Sequence, residues 1–277
     1  MLQLFRRSKE ALVGGIIALG ILLMAAVVTV ADLLGVRITP YDPIQQNVGP
    51  ALAPPSLLHL MGTDNLGRDL LSRIIVATPN DVSVSLAVVG VALAAGAIIG
   101  SVAAFHGGLL DEALMRFTDV IFALPALVLA LAIGVTLGPG VTNMMVALMI
   151  IWWPPYARLA RGEALRVAHQ NYIEAARLSG MGTAKILFKH VFRSILVTML
   201  VYATLDIGTV ILVYSGLSYL GLSVRPPQPD WGEMVSSYQD YLITAPWLPV
   251  IPGFVIALGV IGFSLLGDGI RDALEAR

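Results

Sequence analysis

The sequence predicts an all-α protein that crosses a membrane six times. Hydrophobic residues make up 57% of the 277 and charged residues 13%, the mean hydropathy is +0.83, and apolar runs of spanning length alternate with short polar stretches. Soluble chains carry about 25% charged residues, and about twenty apolar residues cover a hydrocarbon core roughly 30 Å thick. This composition excludes an ordinary soluble domain. The net charge of −1 gives no basic excess for nucleic acid, and the absence of cysteine removes disulfides, thiolate ligands and thiol nucleophiles.

Six spans follow in order: residues 11–30, 82–105, 117–137, 141–160, 195–222 and 248–266. The first comes after Arg6, Arg7 and Lys9 and so has the flank of a secretory signal. Its apolar core exceeds the usual length of about 7–15 residues, which favours an uncleaved helix. The fourth has only residues 141–153 before Pro154 and Pro155, so polar helix-forming sequence is expected to extend it. Six spans with Arg6 and Arg7 inside put both termini in the cytoplasm. The charges agree: the outer segments 31–81 and 223–247 hold four basic residues against eight acidic ones, and the other thirteen basic residues lie inside.

Within the spans Asp206 is read as the only well-embedded ionisable group, hence a candidate pathway residue. The alternative is a hydrogen-bonded carboxylate at a helix contact near Thr204 and Thr209, or at a neighbouring subunit. Arg116 and Asp119 are expected to pair across one turn. Gly96 and Gly100 form a GxxxG pair suited to close helix packing. No phosphate-binding loop of the G-x-x-x-x-G-K-[ST] kind occurs, and His59, His106, His169 and His190 are scattered. The sequence therefore assigns no catalytic residue, no cofactor and no metal ligand, and ATP hydrolysis is not expected of this chain.

Between the fourth and fifth spans lies Tyr172-Ile-Glu-Ala-Ala-Arg-Leu-Ser-Gly180. Arg158, Arg161, Arg166, Arg177, Lys185, Lys189 and Arg193 surround it, opposed only by Glu163 and Glu174. That excess places the loop inside the cell. Residues 172–178 are good helix formers, and Gly180 lacks a Cβ where a short helix must stop and turn.

Glu174-Ala-Ala-x-x-x-Gly180 resembles the EAA loop of permease subunits from binding-protein-dependent ABC importers. Further segments resemble the second permease subunit of the dipeptide/oligopeptide/nickel branch. They are His59-Leu-Met-Gly-Thr-Asp-Asn-Leu-Gly-Arg-Asp69 with Ser72-Arg73, Leu114-Met-Arg-Phe-Thr-Asp119 with Pro125, and Tyr156-Ala-Arg158 with Arg161. Later come Gly216-Leu-Ser-Tyr-Leu-Gly221, Pro226-Pro-x-Pro-Asp-Trp-Gly232 and Gly267-Asp-Gly-Ile-Arg-Asp272. The chain departs from the pattern at Arg193-Ser194, where Pro-Asn is usual, and at residues 78–86, where a basic residue before Ser-Leu is missing.

The resemblance implies an N-terminal helix and outer segment over residues 1–81, and a permease core over 82–277 with the EAA loop near 158–193. It also implies a second permease, two ATP-binding subunits, an extracytoplasmic solute-binding protein, and a place in a bacterial or archaeal cytoplasmic membrane. Tyr172, Glu174, Ala175, Ala176 and Gly180 are then the expected ATPase-coupling residues. The alternative is an amphipathic helix lying on the headgroups. Short peptides are the first expectation for substrate, with nickel or another small solute as the alternative. A channel or secondary transporter using Asp206 is the distant one, since no internal repeat is evident. The charged segment 62–69 is expected to make local ion pairs and caps rather than a solute or binding-protein site. Trp231, Tyr238, Tyr241 and Trp247 are expected to anchor an outer interface helix in the headgroup layer.

Overall fold

A computed structural model describes residues 9–168 and 170–275. Among the described residues, regular structure is helical apart from one isolated antiparallel bridge between Thr63 and Asp69. Helix α1 covers Lys9–Leu33 and α2 covers Leu70–His106. The second helix starts twelve residues before the expected position. Asp69 caps it, its carboxylate accepting from Ser72 N at 2.9 Å and Ser72 Oγ at 2.7 Å. The polar residues Ser72, Arg73, Thr78 and Asp81 are buried inside the protein, so tertiary contacts replace lipid around them and the helix continues through Pro79.

The run expected as the third span is broken. Helix α3, Gly108–Phe122, and helix α4, Ala126–Leu137, meet at 83°. Pro125 explains the break: its ring fixes φ near −58°, and its Cδ disfavours helical geometry at Leu124. Helix α5, Val141–Ala168, runs through Pro154 and Pro155 into the charged stretch. After it come α6, Asn171–Leu178, α7, Thr183–Ile186, and a π-helical turn at Leu187–Val191. That turn leads without a break into α8, Phe192–Tyr219. Helix α9, Trp231–Tyr238, precedes the final helix α10, Trp247–Glu275.

By length and apolar composition, α1, α2, α8 and α10 each suffice to cross a membrane, and the bent α3–α4 pair counts as a fifth when taken as one broken span. Helix α5 is compatible with a sixth, its apolar first half leading to Arg158, Arg161, Glu163 and Arg166.

Helix α2 lies along α5, and the expected small-residue contact is there. A Cβ on Gly96 would stand 2.3 Å from Tyr156 Cβ, and one on Gly100 2.2 Å from Ala157 O. Helix α10 packs on α1 and α8. One apolar cluster joins α2, α5 and α8 around Val88, Leu148, Tyr156 and Met199. A second, around the start of α2 and α9, gathers Leu70, Ile74, Ile211, Trp231, Met234, Tyr238 and Phe263.

Trp231 and Tyr238 are each 1% exposed, so they are core residues and not headgroup anchors. Their polar tips are satisfied inside: Trp231 Nε1 donates to Ile74 O at 3.3 Å, and Tyr238 OH donates to Asp64 Oδ2 at 2.9 Å. The expected Arg116–Asp119 pair does not form either. Arg116 reaches Glu112 at 3.5 Å, and Asp119 is taken by Arg158 of α5 at 2.6 Å.

Candidate functional site

Ahead of α2, segment 62–69 does what local chemistry predicts. Asp64 pairs with Arg68 Nε at 2.6 Å and accepts from the amides of Leu66 and Arg68, each at 2.9 Å. Asp69 adds a 2.9 Å contact with His59 Nδ1 to its capping bonds. Arg73 donates to the carbonyls of Pro43 and Pro227 and lies 3.9 Å from Glu233. Asp230 gathers Tyr214 OH at 2.9 Å, Ser218 Oγ, and the amides of Gly232 and Glu233 at 3.1 and 3.4 Å. Burial pushes the Asp230 carboxyl above the ordinary range, against the pull of the Ser218 and Tyr214 hydroxyls.

Asp81, three turns into α2, is fully buried beside Ser215 Oγ at 3.3 Å and Trp231 N at 3.5 Å. Asp206 is therefore not the only embedded carboxylate. The sequence did not reveal this, because Asp81 falls before the purely apolar run in which a span is recognised.

The C-terminal half of α5 is clamped to α3. Arg161 makes a two-pronged contact with Asp111 at 2.6 and 2.7 Å, and Arg158 combines its bond to Asp119 with a position 4.3 Å from the centre of the Phe122 ring. This clamp carries α6 at its far end. Ile173 is fully buried and pins α6 to the core, while Ala176 packs partly against the same cluster. Tyr172, Glu174 and Ala175 face outward. Of the two small residues in the motif, only Ala175 is presented at the surface.

The helix ends as the sequence requires. Gly180 has φ +77°, and Met181 N reaches back to Ala176 O at 3.1 Å, a left-handed glycine stop. The Tyr172 ring lies 6.0 Å from that of His190 in the π-helical turn, so the motif and the root of α8 touch. Where Pro-Asn would mark a break before the fifth span, the chain keeps a continuous helix, and Phe192 N bonds Leu187 O across one extra residue. His169 lies outside the described residues.

Asp206 does not use Thr204 or Thr209. Thr204 Oγ1 donates to Leu200 O, and Thr209 is exposed. Instead Trp152 Nε1 and Tyr156 OH donate to Asp206 Oδ2 at 2.6 and 2.9 Å. Trp152 and Tyr156 stand four apart on α5, one face of one turn. Their spacing around the prolines was the available signal.

The family profile described as "Binding-protein-dependent transport system inner membrane component" matches residues 96–277, and that described as "N-terminal TM domain of oligopeptide transport permease C" matches residues 1–55. The chain is 39% identical over 266 residues to the "Di/tripeptide transport system permease protein DppC" of Pseudomonas aeruginosa (strain UCBPP-PA14), covering 94% of this chain and 88% of that protein. It is 37% identical to the "Probable D,D-dipeptide transport system permease protein DdpC" of Escherichia coli (strain K12), over 91% of this chain and 86% of the relative. It is also 38% identical to the "Glutathione transport system permease protein GsiD" of Pectobacterium atrosepticum, over 80% and 74%. With an inner-membrane profile spanning its helical core and relatives aligned over most of its length, this chain belongs to the family of binding-protein-dependent transport system inner membrane components.

Proposed function

We propose that this chain is the transmembrane permease subunit of an ATP-driven importer of short peptides. It forms the translocation path with a second permease, receives peptide from an extracytoplasmic binding protein, and docks on two ATP-binding subunits that carry out the hydrolysis. It sits in the cytoplasmic membrane of a bacterium or archaeon with both termini inside, which the distribution of basic residues supports.

The observation that carries this reading is the construction of α6. A short helix with a hydrophobic pin, an outward Tyr172, Glu174 and Ala175, and a left-handed stop at Gly180 is shaped to seat in another protein's groove. Its first turn carries Glu174, placed to hold a basic group or the helix dipole. Closure of the ATPases moves α6, and the displacement passes through the α3–α5 clamp on one side and the root of α8 on the other, opening the path alternately outward and inward. Asp206, midway along α8, lines that path. The peptide names of the relatives support the substrate class.

The test uses Glu174→Lys and Gly180→Asp in the assembled complex. Both variants insert and fold, and both hydrolyse ATP without peptide uptake. Normal uptake by the pair would end the coupling assignment.

A further inference from the structure

The surroundings of Asp206 hold more than a structural carboxylate needs. Asp206 lies 14 residues after the first residue of α8 and 13 before its last, so about 20 Å of helix extends to either side. Trp152 and Tyr156 are both neutral donors, and both converge on Oδ2. Among the described residues no donor is placed on Oδ1. Asp206 is half-buried, so that oxygen is not sealed into the core.

A neutral amide would accept the same two hydrogen bonds at much lower cost inside a membrane than an ionisable carboxyl. The third member of the cluster, Tyr202, stands edge-on to Tyr156 with ring centroids 5.0 Å apart and is 36% exposed. Tyr202 also lines a cavity of ≈400 Å³ together with Leu159, Thr198, Leu205 and Arg271. Trp152 and Tyr156 turn their N–H and O–H to one oxygen of the carboxylate, and Tyr202 stands at the cavity wall beside them, a polar box with one carboxylate oxygen left for an organic cation. The carboxylate supplies the charge and Tyr202 a ring at its side, at a site where bulk water is scarce.

We infer that this box is a way station for the protonated amino terminus of a peptide in transit, with Asp206 Oδ1 accepting from the ammonium group and Tyr202 flanking it. The inference rests on the peptide-import reading above. It assigns Trp152 and Tyr156 as positioning residues, which hold Oδ2 so that Oδ1 faces outward, and Asp206 as the residue that touches substrate.

The experiment uses the full importer, purified with its second permease and ATP-binding subunits, reconstituted in liposomes and supplied with its binding protein and dialanine. Asp206→Asn keeps the oxygen that Trp152 and Tyr156 bond and removes the charge. Its maximal uptake falls about tenfold, the scale of a charge-assisted contact in a dry site. The half-saturating concentration of loaded binding protein, the subunit ratio and the Tm of the complex hold. Asp206→Glu recovers part of the rate, and Tyr202→Leu, which leaves the carboxylate in place, also slows uptake.

Wild-type uptake by Asp206→Asn overturns the inference. So does a loss that tracks a falling Tm while Tyr202→Leu transports normally, which would make the carboxylate structural. Release of the second permease from the Asp206→Asn complex overturns it as well, by identifying a basic residue of that subunit as the cation. A wild-type importer that takes up no dialanine fails differently, since it removes the peptide reading beneath the inference.

Discussion

Asp64, Asp69 and Asp230, gathered at one end of the helix bundle, are at most 1% exposed, and each accepts several hydrogen bonds. At the other end Glu174, Lys185 and Lys189 stand exposed, and Ile173 is the side chain that pins α6 inward. The first region is closed on itself: its charges are consumed by caps, an ion pair and buried hydroxyls. The second leaves its polar face open to another surface. A permease needs both. Rigidity at the first keeps the helices in register, while in the proposed coupling the second would follow the subunit that docks on it.

The largest effect expected from breaking this contrast is at Asp230. Asp230→Ala strands the Ser218 hydroxyl and the amides of Gly232 and Glu233, and leaves Tyr214 OH with Ser223 Oγ alone. At about 1–3 kcal/mol for each stranded buried group, the loss is at least ~3 kcal/mol, read as a fall in Tm of the detergent-purified chain. A loss below ~1 kcal/mol would mean that the apolar contacts of Trp231 and Met234 hold this end alone.

Ile173→Ala sharpens the other side. It removes about 2–4 kcal/mol of packing from one small element, so amide exchange quickens across residues 171–191 while the global Tm barely moves. A global drop matching that of Asp230→Ala would erase the distinction between the two ends. The smallest effect belongs to Asp42→Asn. The Arg37–Asp42 bridge is 2.9 Å long, but its side chains are 58% and 34% exposed, so stability changes by no more than ~0.5 kcal/mol and the change shrinks in salt.

The spans were legible because lipid imposes one demand on every residue of a run, and a chain meets it locally. The stop at Gly180 and the close approach at Gly96 and Gly100 were legible for a related reason: each depends on the absence of a Cβ, which the sequence states directly. What stayed hidden depends on partners far along the chain. Asp119 has Arg116 three residues away, yet Arg158 reaches it from α5, 39 residues on. Trp231 and Tyr238 look like interface anchors until α9 is seen wedged against α2, α8 and α10. The polar start of α2 reads as part of the segment 31–81 because a window of composition does not show that Arg73 and Asp81 are enclosed by protein. In the candidate site, Asp206 was visible as an oddity, but its aromatic company was not, since Trp152 and Tyr156 lie on another helix.

The two prolines within α5 have a mechanical consequence. Pro154 and Pro155 have no N–H to offer the carbonyls of Ile150 and Ile151, so two consecutive rungs of the backbone ladder are missing at one level. A rod lacking two rungs is softest there. A load applied beyond Ala168 is taken up as flexure at that point before it tilts the N-terminal half of the rod. Trp152 sits just above the soft point and Tyr156 just below it, so flexure changes the separation of the two donors that share the Asp206 oxygen.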